Sequence, residues 1–138
     1  MGAHQSHLEP ADWHADVPCS ECHVVPAAVE SPGHIDGDGV AEVTFGDRAT
    51  EEGATPAWSG VSCSGAYCHG ATLSGGTMTA PVWTMVDGTQ VACGTCHSLP
   101  PTEDHPALDQ CYLCHDSVID ETLEFVDPTL HINGDVDF

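Results

Sequence analysis

The chain has 138 residues, of which 22 are acidic, one is arginine and none is lysine, for a formal net charge of −21 at neutral pH. A charge of that sign and size excludes nucleic acid and anionic membrane surfaces as partners. No stretch approaches the roughly 18 apolar residues of a membrane span, so no membrane insertion is expected. Aromatic residues make up only 6%, and 14 glycines and 10 prolines break up the apolar runs, so an ordinary side-chain core is not expected either.

In chain order, His4 and His7 stand three apart and can share one face of a short helix. His14 follows, then Cys19-Ser20-Glu21-Cys22-His23, with 17–24 read as a helical turn begun at Pro18. His34-Ile35-Asp36-Gly37-Asp38 comes next. Residues 40–45 alternate well enough for a brief strand, and 47–56 read as a small, acidic, irregular linker. Cys63-Ser64-Gly65-Ala66-Tyr67-Cys68-His69 predicts a second turn over 65–70, with Gly65 easing the bend. Residues 81–86 are a weaker strand. Cys93-Gly94-Thr95-Cys96-His97 predicts a turn over 92–98, stopped by Pro100-Pro101. His105 precedes Cys111-Tyr112-Leu113-Cys114-His115, a turn over 109–116. Residues 123–126 are a second weak strand, and the chain closes on His131-Ile132-Asn133-Gly134-Asp135.

All eight cysteines therefore fall into four pairs, each followed at once by histidine. Three read C-x-x-C-H, the attachment signature of c-type haem, and one is a stretched C-x4-C-H. Two thiols form thioethers to the porphyrin vinyl groups while the imidazole binds the iron. On one helical turn, positions i, i+3 and i+4 share a face, so Cys93, Cys96 and His97 can grip one porphyrin edge. Zinc coordination and four disulfides are the competing uses of paired cysteines. Neither explains why every pair ends in histidine. The expected cofactors are four haem c groups with their iron, attached at Cys19, Cys22, Cys63, Cys68, Cys93, Cys96, Cys111 and Cys114. His23, His69, His97 and His115 are the proximal ligands. With about 35 residues per haem, the cofactors stand in for the core, and the apo-chain is expected to be largely unfolded. The expected fold is mostly irregular coil with short helices and few short strands, wrapped around covalently bound haems as a multihaem cytochrome c.

Six histidines remain, enough to give each iron a second imidazole. Bis-histidine ligation leaves no open position and suits electron transfer rather than substrate activation. The distal candidates are His4, His7, His34, His105 and His131, with His14 undecided between a ligand and a solvent-facing residue. His34-Ile35-Asp36-Gly37-Asp38 echoes His131-Ile132-Asn133-Gly134-Asp135. The organisation read from this is one tetrahaem domain over 1–138, with a half-unit echo over 1–45 and 100–138 around an insert of two haem motifs at 58–99. Asp36-Gly37-Asp38-Gly39 has a faint likeness to a calcium loop but lacks the downstream ligands of an EF-hand. A plain turn is the simpler reading there, with calcium as the alternative. The acidic shell should hold the haem potentials low.

The order Cys63-x4-Cys68-His69, Trp83, Cys93–His97, Pro100-Pro101, His105, Cys111–His115 and closing His131-Ile132-Asn133-Gly134 resembles the CxxxxCH/CxxCH multihaem cytochrome domain. Gly2-Ala3-His4-Gln5-Ser6-His7-Leu8 is similar to a segment that precedes its haem motifs. Residues 45–60 follow no pattern of that domain. The family's members are exported electron carriers of anaerobic, metal-respiring bacteria, and related tetrahaem proteins polymerise into extracellular filaments. The resemblance implies a non-enzymatic conductor in a homopolymer at or beyond the cell surface, passing electrons to redox proteins or extracellular acceptors. A soluble periplasmic shuttle is the alternative, and a multihaem reductase a more distant one. Met1-Gly2-Ala3-His4-Gln5 has neither the basic start nor the apolar run of a signal peptide. Haem is attached to such motifs after export, so the parent polypeptide is expected to be translocated.

Overall fold

In the computed structural model, residues 2–35, 37 and 39–138 are described. The Asp36 and Asp38 carboxylates of the calcium reading lie outside the described residues. Most of the chain is coil and turn. One α-helix, α1 (His4–Leu8), carries His4 and His7 on successive turns. Two-residue strands β1 (Ala57–Trp58) and β2 (Cys63–Ser64) pair antiparallel, with Trp58 opposite Cys63. This hairpin, inside and just after the segment that follows no family pattern, delivers the first cysteine of the stretched motif.

Three of the four expected turns are one-turn 3-10 helices: Cys19–Glu21, Tyr67–His69 and Cys111–Leu113. Over 92–98 there is no helix, only a turn in which Thr95 Oγ1 donates to Ala92 O at 2.7 Å and accepts from Ala92 N at 3.2 Å. A threonine hydroxyl that satisfies nearby backbone groups competes with the helical bonds. Residues 40–45 form no strand. They run extended beside the first motif, with Thr44 N–H donating to Cys22 O and Gly46 N–H to Glu21 O. The weak strands at 81–86 and 123–126 shrink to single bridges, Ser62 with Val82 and Ile119 with Phe125.

Turns are held locally. Asp87, Asp120 and Asp127 each accept from the backbone N–H and the hydroxyl of the threonine two residues on. These bonds to the ionised form pull all three carboxyls below their ordinary range, the hydroxyl contributing most. Among the described residues, the only buried hydrophobic side chains are Ala49 and Ala66. A chain of this length normally buries large aliphatic and aromatic side chains. In their place stands a cavity of about 700 Å³ lined by cysteines of three motifs and by His7, His14, His69 and His131.

Candidate haem sites

The first and fourth motifs are built alike. The N–H groups of Cys22 and His23 both donate to Cys19 O, at 3.2 and 3.0 Å, and those of Cys114 and His115 both donate to Cys111 O at the same distances. Each turn therefore closes the second cysteine and the histidine onto the carbonyl of the first cysteine. Downstream chain then fixes each ring, with Glu42 O 2.7 Å from His23 Nδ1 and Asp137 O 2.5 Å from His115 Nδ1.

The stretched motif is built differently. Gly65 takes up the extra length at φ +67°, and a side chain there would collide with Thr55 O. The Tyr67–His69 turn ends on Gly70 at φ +79°, where a Cβ would overlap the carbonyl of Cys96 in the third motif. Second and third motifs are thus in backbone contact. Burial raises the Cys68 thiol to about 11 and lowers His69 to about 4, since it disfavours thiolate and imidazolium alike.

Each proximal candidate faces one other histidine. Ring centroids lie 6.2 Å apart for His4 and His23, 6.3 Å for His7 and His69, 6.4 Å for His97 and His131, and 6.0 Å for His105 and His115. A metal–imidazole bond is about 2.0–2.1 Å and a ring nitrogen lies about 1.1–1.2 Å from its centroid. Two imidazoles bound on opposite sides of one metal therefore hold their centroids about 6.2–6.6 Å apart. Direct ring stacking would bring them closer, as Phe125 does to His131 at 4.5 Å. Three gaps fall within that span, and the 6.0 Å between His105 and His115 is about 0.2 Å short of it.

Hydrogen bonding agrees with that fit. Nδ1 lies 2.7 Å from Ala3 O in His7, 2.9 Å from Ser98 O in His97, 2.8 Å from Pro106 O in His105 and 2.6 Å from Trp13 O in His131. A carbonyl only accepts, so Nδ1 carries the proton and Nε2 keeps its lone pair for a metal. Burial lowers His131, which likewise favours the neutral ring. His69 Nδ1 is the exception, buried without a hydrogen-bond partner.

His34 faces none of the four proximal rings. It is exposed, Val29 O holds its Nδ1 within its own loop at 2.9 Å, and it has no ring contact among the described residues. His14 is buried, at 6% exposure, edge-on to Trp13 at 4.3 Å, and faces no proximal ring either. All eight cysteines are free. Among the described residues no three histidine, cysteine or acidic side chains converge as they would on a bare metal ion.

Sequence reasoning named one support without a role and missed another. Trp83, part of the motif order, packs against both rings of α1, 4.9 Å from His4 and 5.7 Å from His7. Gln90, buried, ties Val82 N and O and Met85 O together beneath it. Nothing distinguishes Gln90 in the sequence, whereas Trp83, one of only three tryptophans, was a usable signal.

The paired thiols and following histidines define attachment motifs for covalently bound c-type haem, the mark of multihaem electron-transfer cytochromes. Residues 62–97 match the family described as the Geobacter CxxxxCH...CXXCH motif. That match joins the stretched motif to the third and is narrower than the resemblance read along the whole chain. No curated protein and no solved structure gives a match. No helix among the described residues is long and apolar enough to cross a membrane.

Proposed function

We propose that the chain is a four-haem electron carrier in which every iron has two histidine ligands: His23 with His4, His69 with His7, His97 with His131 and His115 with His105. The observation that carries this reading is the set of four imidazole pairs spaced for one metal each. Haem supplies one-electron exchange at iron. The protein's residues do the rest: cysteines fix each ring edge, backbone carbonyls orient the imidazoles, and the second imidazole denies the iron an open position.

Three contacts support a serial order of the sites along the chain. Helix α1 carries the facing histidines of the first and second sites three residues apart. Gly70 abuts Cys96 between second and third. His131, beyond the fourth motif, returns to face His97 of the third. Electrons would pass along this file, with no substrate pocket involved.

In its most specific form, this carrier is a subunit of a filament outside the cell, each copy extending the file of the next. The resemblance of the motif set supports that form, and the net charge of −21 means that assembly should strengthen with salt. A soluble periplasmic shuttle is the alternative. Intact mass should show four haem additions per chain. Negative-stain microscopy at low and high salt then separates the forms: filaments support the subunit, and monodisperse particles at both salts support the shuttle. A chain that carries zinc and no haem would defeat both.

A further inference from the structure

We propose that the haem attached through Cys63, Cys68 and His69 has the highest reduction potential of the four, and that Arg48 sets it. The inference rests on the four-haem reading above.

Arg48 is the one strong base in a chain with 22 acids. Among the described residues it makes no ion pair, and its guanidinium Nη1 donates to the carbonyl of Ile132. Ile132 holds φ +64°, a costly conformation for a β-branched residue, immediately after His131. Arg48 lines the same cavity as Cys63, Cys68, His69 and His7. Ala49, the next residue, accepts from Tyr67 N–H at 3.0 Å and donates its own N–H to Glu21 Oε2 at 3.2 Å, which sets Arg48 beside the Tyr67–His69 turn. Positive charge is therefore placed at this site, and the chain has no second strong base to place elsewhere.

Two further differences act with the same sign. Each C-x-x-C-H motif has one exposed cysteine (Cys19, Cys93, Cys114), whereas Cys63 and Cys68 are both half-buried. Ferric bis-imidazole haem carries one more positive charge than ferrous, so a drier site favours the ferrous state. Six of the other proposed ligands have their Nδ1–H on a carbonyl, which makes the imidazole a stronger donor and stabilises ferric iron. His69 Nδ1 has no acceptor in hydrogen-bonding geometry, although the Cys63 backbone lies near enough to favour the protonated ring. Charge, burial and ligand basicity all direct the first electron from a one-electron donor to this iron, with no proton or bond change.

The test gives this haem a spectral label. In Cys63→Ala the unreacted vinyl group red-shifts the α-band of that haem alone, and an optical redox titration follows it separately. The labelled band is expected to be reduced first. If it is reduced second, third or last, the inference is overturned. Adding Arg48→Gln should lower that first step about tenfold in its equilibrium constant, about 59 mV for one electron, and shift the other three less. No shift would remove Arg48 from the account. Should Cys63→Ala fail to mature, Arg48→Gln alone must still lower the highest of the four steps. Haem is counted in each variant: four haems with the labelled one not first overturn the inference alone, whereas the lack of a haem at Cys63–His69 in the parent chain overturns the four-haem reading with it.

Discussion

The turns at Cys19–His23 and Cys111–His115 share one hydrogen-bond pattern, yet the stretched motif between them shares none of it. Each terminal turn stands partly in solvent, with an exposed cysteine, and closes on its own first carbonyl. The stretched motif is half-buried at both cysteines and is shaped by what surrounds it: the β1–β2 hairpin, Thr55 against Gly65, and Cys96 against Gly70. Haem attachment thus needs only a local turn, but the middle of the molecule is held by contacts between motifs.

The largest expected effect comes from removing both thiols of one site. Cys63→Ala with Cys68→Ala should lower the haem count from four to three and expose the remainder to proteolysis, because Ala49 and Ala66 are the only buried hydrophobic side chains among the described residues. Cys19→Ala with Cys22→Ala should also lose one haem but leave a more resistant particle. Haem quantification with limited proteolysis checks both, and equal resistance would erase the contrast.

A second contrast divides the two echoes. His131→Ala should convert one of four irons to high spin in the oxidised protein, whereas His34→Ala should convert none, since His34 faces no proximal ring. Electron paramagnetic resonance reads both.

Acidification should loosen the threonine-held turns. Hydrogen bonds from threonine hydroxyls and backbone N–H groups hold Asp87, Asp120 and Asp127 below the ordinary carboxyl range. The folded values are depressed, so the unfolded chain binds these protons more readily, and the stabilisation is present above the ordinary carboxylate value of about 4 and is lost as pH falls below it. Unfolding midpoints of the holo-protein should decline on such acidification, and Asp120→Asn should reduce the decline slightly.

The smallest effects concern single glycines. Gly70→Ala should destabilise by about 1–3 kcal/mol through positive φ and the overlap with Cys96. Gly88→Ala, at φ +82° with nothing within 4 Å, should cost only about 1 kcal/mol. Denaturant midpoints compare them.

Much of the candidate site was legible because covalent chemistry writes itself locally. Thiols and imidazole must lie within one turn, so Cys93 to His97 could be read without a fold. The irregular character of the chain was also legible, from glycine, proline and the lack of apolar periodicity. Which histidine faces which was not. His34 and His131 sit in nearly the same five-residue motif. His131 Nδ1 reaches Trp13 O across the chain, and His34 reaches only Val29 in its own loop. That choice is made by long-range packing, which a repeated motif does not encode. The strand expected over 40–45 failed for a related reason: its backbone groups serve the first haem motif rather than a neighbouring strand.

The central claim is that every iron lies between two histidines. Electron paramagnetic resonance of the fully oxidised holo-protein, integrated against total iron, tests it most directly. Four low-spin ferric centres per chain, with no high-spin signal, is the predicted result. A high-spin centre in the unmodified protein, or fewer than four irons per chain, would contradict it.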